Sequence, residues 1–123
     1  MKRVEAIIRP ERLEAVKAAL AQVGHRGLTV AEVAGHGVQG GVACEWEGTT
    51  HTVDLIPKVS VNVVVHDHLV ADTIETIATA ARTGHIGDGK IFVHPVERVV
   101  RVRTGEHGSD ALWRSGDSPS SAS

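Results

Sequence analysis

Apolar and polar positions alternate at the start of the chain. Val4, Ala6 and Ile8 fall on one side and Arg3, Glu5 and Ile7 on the other, a period of two that predicts a strand over residues 2–9. Pro10 stands at a natural first helical position, and from Glu11 the apolar residues Leu13, Val16, Leu20 and Val23 recur at helical spacing until Gly24 ends the run. Residues 27–33 are β-branched and apolar enough for a second strand. The clearest strand runs from Lys58 to His66, with Val59, Val61, Val63 and Val65 on one face and Lys58, Ser60, Asn62, Val64 and His66 on the other. Asp67 is placed to cap the next helix, whose stripe is Val70, Ile74, Ile77 and Ala81. Arg82 suits its C-terminal end and Gly84 closes it. Ile91 to Val93 predict a short strand stopped by Pro95. Glu97 to Arg103 read as extended, with Val100 and Val102 on one face and Val99, Arg101 and Arg103 on the other.

The pattern is a duplicated plan. Strand, helix, Gly24-His25-Arg26-Gly27, strand is answered by strand, helix, Gly84-His85-Ile86-Gly87, strand. Two βαβ halves predict an α+β, ferredoxin-like sandwich with both helices on one face of a four-stranded antiparallel sheet. Valines and isoleucines on the other face would meet water, so a partner subunit is expected to cover them. Between the halves, Gly35 to Thr52 has no sustained period and reads as a long loop, functional or disordered, containing Trp46, an indole suited to docking on another surface or else folded back on its own domain. Beyond Gly108 the chain is mostly Ser, Gly, Asp and Pro, which predicts a disordered tail over Gly116 to Ser123.

Length and charge narrow the function classes. One domain is expected from 123 residues, and 13 Lys+Arg against 15 Asp+Glu give a net charge of −2, so no basic field points to nucleic acid or an anionic membrane. The apolar runs are too short to insert in a membrane, and Lys2, Arg3 and Glu5 carry charge where a signal peptide would be apolar. The single cysteine, Cys44, excludes an intramolecular disulfide and fits a reducing compartment, so a cytoplasmic location is expected.

The chemistry concentrates at Thr83-Gly84-His85-Ile86-Gly87-Asp88-Gly89-Lys90. Glycines this dense mark a tight loop whose backbone can approach a phosphate, and Lys90 adds a positive point charge. Gly84 to Lys90 fits the first seven positions of the P-loop signature, but Ile91 stands where a P-loop needs Ser or Thr for magnesium, and the loop leads from helix to strand rather than strand to helix. A phosphate-binding loop that is not a P-loop ATPase is the reading; a glycine turn that binds nothing is the alternative.

These residues, with Arg101-Val102-Arg103-Thr104-Gly105-Glu106, the opening Val4 to Pro10 and Val53 to Val59, resemble the PII signal-transduction family over residues 1–112. The resemblance implies a homotrimer with ATP or ADP in its inter-subunit clefts. Gly87, Asp88, Gly89 and Lys90 would hold the phosphates together with Arg101, Val102 and Arg103, whose two-residue spacing on a strand would aim both guanidinium groups one way. Thr29, Gly37 and Val64 would surround the nucleoside. Gln39 would coordinate magnesium with ATP and 2-oxoglutarate, and Gly40, Gly41 and Lys58 would complete the 2-oxoglutarate site. Residues 37–54 match the family's T-loop, which docks on transporters, enzymes or regulators, here through Trp46, Glu47 and His51; 83–90 match its phosphate loop, 97–107 its C-terminal strand and loop, and 113–123 form a flexible tail.

The departures from the family pattern also carry meaning. His51 replaces the modified tyrosine, and the chain has no tyrosine at all, which excludes tyrosine uridylylation or adenylylation. Thr49 and Thr50 remain as phosphorylation candidates. Glu47 reverses the charge of the arginine that plugs an ammonium channel, which puts that partner in doubt. Val38, within the nucleotide-binding set, stands where a phosphate-contacting arginine is usual, implying a loss of about 1.5–3 kcal/mol in triphosphate binding. Asn62 replaces an acidic residue near the base. A non-enzymatic sensor is therefore expected, with a nucleotide hydrolase disfavoured because no residue is evident as a positioned base. Two alternatives stay open: a divergent sensor that binds adenine nucleotides without 2-oxoglutarate, and a metal-responsive module using His36, Cys44 and His51 or the pair His66 and His68.

Overall fold

The computed structural model describes residues 1–25, 27–36, 42–46, 49–53 and 55–112. Strand β1 (Lys2–Ile8) is followed by a 3-10 turn at Pro10–Arg12, helix α1 (Leu13–Gln22) and strand β2 (Leu28–His36). A hairpin of β3 (Val42–Trp46) and β4 (Thr49–Val53) leads into β5 (Leu55–Val65), then helix α2 (Val70–Ala81) and β6 (Gly89–Pro95). The main sheet is antiparallel in the order β2-β5-β1-β6, the ferredoxin-like arrangement that two βαβ halves require.

Alternation fixes the faces. Val4, Ala6 and Ile8 of β1 and Val59, Val61, Val63 and Val65 of β5 are buried against Val16 and Leu20 of α1 and Ile77 and Ala81 of α2. Each large aliphatic side chain taken out of water here contributes about 1.5–3 kcal/mol. Helix α1 stops where expected. Gly24, at φ +92°, lets its own N–H donate to Ala21 O at 3.1 Å while His25 N–H donates to Leu20 O at 2.8 Å, the paired closure of a Schellman motif. Val23 then falls at the cap and is 52% exposed, so it drops out of the predicted apolar stripe.

Four further expectations are corrected. Asp67 does not cap α2; its carboxylate takes the Met1 amino group at 2.7 Å, the stronger electrostatic partner. The stretch read as irregular contains the β3–β4 hairpin, with Cys44 opposite His51. Strands β2 and β5 run on past their predicted ends, because His36 still pairs with Leu55. Residues 97–103 form no extended strand: the only pairing described there is the isolated bridge from Val100 to His107, and Gly105 N–H turns back to Arg101 O at 2.8 Å. The segments 37–41, 47–48 and 113–123 lie outside the described residues.

The sheet face away from the helices is more polar than a purely apolar interface. Asn62 Nδ2 donates to Ser60 Oγ at 2.9 Å, Ser60 donates to Glu5 Oε2 at 3.2 Å, and His94 Nε2 lies 3.0 Å from Glu5 Oε1. The His94 contact holds the Glu5 carboxyl below its ordinary pKa. Among the described residues no helix is long and apolar enough to cross a membrane.

Candidate functional site

The loop between α2 and β6 is organised from within by Asp88. Its Oδ2 accepts from the backbone N–H groups of Thr83 and Gly84, both at 2.9 Å, and its Oδ1 accepts from the Thr83 hydroxyl and from Arg9 Nε at 3.0 Å. Arg9 Nη2 also donates to Ile86 O at 2.7 Å. The Thr83 hydroxyl above all, then the backbone and Arg9, holds the Asp88 carboxyl well below the usual carboxylate range. Below the loop, buried Lys58 donates to the Gly87 carbonyl.

Two backbone positions shape the loop. Gly87 and Gly89 have φ of +102° and +104°, a region that side chains resist. A Cβ on Gly89 would stand 1.7 Å from Ile7 O, so only glycine fits where β6 passes β1. A cleft of about 270 Å³ opens beside it, lined by Ile8, Ile77, Ala81, Asp88 and Lys90. Arg9, Lys58 and Lys90 thus bring three cations to a bare backbone whose one carboxylate is already spent on internal hydrogen bonds, an arrangement suited to an anion.

A second cleft, of about 350 Å³, lies at the other end of β5. Arg3, His25, Thr29, Asn62, Val64 and Leu112 line it. Asn62 Oδ1 is buried there with no partner among the described residues, although its Nδ2 is bonded to Ser60. His25 approaches the Thr73 hydroxyl at 3.2 Å, and burial pushes its pKa down.

The structure therefore brings the predicted site residues into two groups. Gly87, Asp88, Gly89 and Lys90 sit with Lys58; Thr29 and Val64 sit together in the second cleft. Lys58 and Val64 are six positions apart on one strand, roughly 20 Å at the rise of an extended chain. Arg101, Val102 and Arg103 are not on a strand, so the side-by-side placement expected of the two arginines does not hold. Arg101 meets Glu106 and the Leu112 carbonyl, while Val102 is 98% exposed. Gly37, Val38, Gln39, Gly40, Gly41 and Glu47 lie outside the described residues; Trp46 and His51 fall in β3 and β4.

Among the described residues no group of three His, Cys, Asp or Glu could hold a metal ion, and the rings of His66 and His68 stack with centroids 5.8 Å apart. Arg9 is a site residue that the sequence reading passed over, and Thr83, placed in the loop, was given no role there. Arg9 comes to the loop through the observed register of β1 with β6, in which Ile8 stands opposite Gly89, so the residue after Ile8 meets the residue before Gly89.

Comparison with known proteins shows the family. The family model of the nitrogen regulatory protein P-II matches residues 1–106. The chain is 54% identical over 112 residues to a nitrogen regulatory protein P-II of Azospirillum brasilense, covering 91% of this chain and 100% of that protein. It is 49% identical to a protein of that name from Rhodospirillum rubrum, with the same coverage. It is 50% identical to nitrogen regulatory protein P-II 2 of Methanothermobacter thermautotrophicus, covering 91% of this chain and 97% of that one.

Proposed function

Since this chain belongs to the nitrogen regulatory protein P-II family, we propose that it is a signalling protein that binds ATP or ADP in the inter-subunit clefts of a homotrimer and instructs a partner protein through residues 37–54. The observation that carries the nucleotide reading is the Asp88-organised glycine loop with Lys58 and Lys90 beside it. The fit extends to the C-terminal turn, where buried Arg101 Nε is a donor without an acceptor among the described residues. That the loop and the Thr29–Val64 cleft stand at opposite ends of β5 supports a shared site. A nucleotide with phosphates on one loop then places its base in the cleft of a neighbouring copy.

Output follows from differential binding. A nucleotide that stabilises one arrangement of residues 37–54 over another shifts which partner surface is displayed. Magnesium, held by Gln39, would neutralise phosphate charge, and 2-oxoglutarate would place a carboxylate on Lys58. Turnover is not the role: Asp88, the carboxylate at the loop, is engaged by Thr83, Gly84 and Arg9 and is not free to orient water.

A second reading, a sensor of adenine nucleotides that ignores 2-oxoglutarate and controls a partner other than an ammonium channel, is favoured by one contact. Lys58 already donates to the Gly87 carbonyl, so a carboxylate there must share or displace that bond. Calorimetric titration of Mg-ATP and Mg-ADP, with and without 2-oxoglutarate, tests both. Binding of 2-oxoglutarate only with Mg-ATP supports the first; nucleotide binding alone supports the second; no nucleotide binding sinks both.

A further inference from the structure

Arg101 is tied into its own turn. Its N–H donates to Glu106 O at 2.7 Å, its carbonyl accepts from Gly105 N–H at 2.8 Å, and Gly105 and Gly108 take φ of +75° and +69° to let the chain double back. The side chain is 10% exposed. Nη1 stands 3.5 Å from Glu106 Oε1 and Nη2 donates to Leu112 O at 3.4 Å, while Nε is buried without a partner among the described residues. Both contacts are long beside the 2.7–2.9 Å usual for charge-assisted bonds.

The chemistry of the side chain says what would bind better. Nε–H and one Nη2–H of a guanidinium point the same way and together suit two oxygens of a phosphate or carboxylate. On Arg101, Nη2 meets a neutral carbonyl, and the Glu106 carboxylate stands on the other nitrogen, Nη1. We propose that Glu106 and the Leu112 carbonyl form an internal clasp on Arg101 that an incoming phosphate must displace, so that Glu106 sets the nucleotide affinity. The clasp rests on the nucleotide reading above. Because Leu112 is 5% exposed and lines the same cleft as Thr29 and Val64, displacing its carbonyl also re-forms that wall of the cleft.

The test is calorimetry of Mg-ADP and Mg-ATP on the full-length wild type, Glu106→Gln and Arg101→Gln. It is paired with the emission of Trp113, next in sequence to Leu112, in a Trp46→Phe background. Glu106→Gln is expected to tighten nucleotide binding by about three- to tenfold and Arg101→Gln to weaken it, with saturating nucleotide changing Trp113 emission. A residue that merely supported the fold would weaken binding when removed, so the sign separates the two roles. If wild type binds nucleotide and Glu106→Gln binds no more tightly, or Trp113 emission does not move, the clasp is wrong and the nucleotide reading stands. If none of the chains binds nucleotide, the nucleotide reading fails and takes the clasp with it.

Discussion

The glycine loop between α2 and β6 and the turn after β6 are built on opposite principles. The glycine loop is closed: Asp88 accepts four hydrogen bonds and Lys58 is anchored on Gly87, so its shape is set from within. Among the described residues the turn after β6 is incompletely satisfied, with Arg101 held by contacts of 3.4 and 3.5 Å and one buried donor unpaired. A preorganised loop gives affinity without an ordering cost, while a weakly held arginine can move when the charge nearby changes. In a sensor the first is suited to capture and the second to response.

The contrast can be broken most severely at Gly89. Gly89→Ala forces a Cβ into Ile7 O, where neither strand can give way, and should cost more than about 3 kcal/mol in urea unfolding and abolish nucleotide binding. A variant within about 1 kcal/mol of wild type would show the loop to be adaptable.

A milder comparison removes one arginine from each region. Arg9→Ala strips partners from Asp88 and Ile86 O and should cost about 1–3 kcal/mol of stability as well as nucleotide affinity. Arg101→Ala should weaken nucleotide binding at a smaller cost to stability than Arg9→Ala, since its bonds are long. Equal losses of stability would erase the distinction.

The smallest effects are those of pH. His25 has a folded pKa below its ordinary 6.5 because burial disfavours the cation. The folded state therefore resists protonation, and the stability this group supplies is complete above pH 6.5 and is lost as pH falls from there through the lower folded value. His25→Gln should flatten the melting temperature across that window. Asp88 and Glu5 are also depressed, from 3.8 and 4.5, so their contributions are lost only in more acid solution. A wild-type melting temperature that does not fall between pH 6.5 and 5 would remove His25 from this account.

Much of the fold was legible because strong alternation and strong punctuation coincide. Val59 to Val65 could only be a strand with one buried face, and Gly24 could only end α1. Where the chain depended on tertiary contacts the reading failed. Asp67 was won by the Met1 amino group, distant in sequence, and residues 97–103, apolar enough for a strand, turn back instead because Gly105 and Gly108 permit it. The β3–β4 hairpin lacks apolar alternation, though Val42, Thr49, Thr50, Thr52 and Val53 are all good strand formers. The glycine loop declared itself by composition, whereas Arg9, its main external support, needs the pairing of β1 with β6 before it becomes visible.

The most direct test of the shared site is complementation between two crippled chains. Lys90→Ala disables the loop and Arg101→Ala the turn; each homo-oligomer should bind ATP weakly. Unfolded and reassembled together in equal amounts, they should recover wild-type affinity at about one site in four, where the loop of one copy meets the turn of its neighbour. If the mixture binds no better than either variant alone, each site belongs to a single chain, and the assignment of the two ends of β5 to one nucleotide between subunits is wrong.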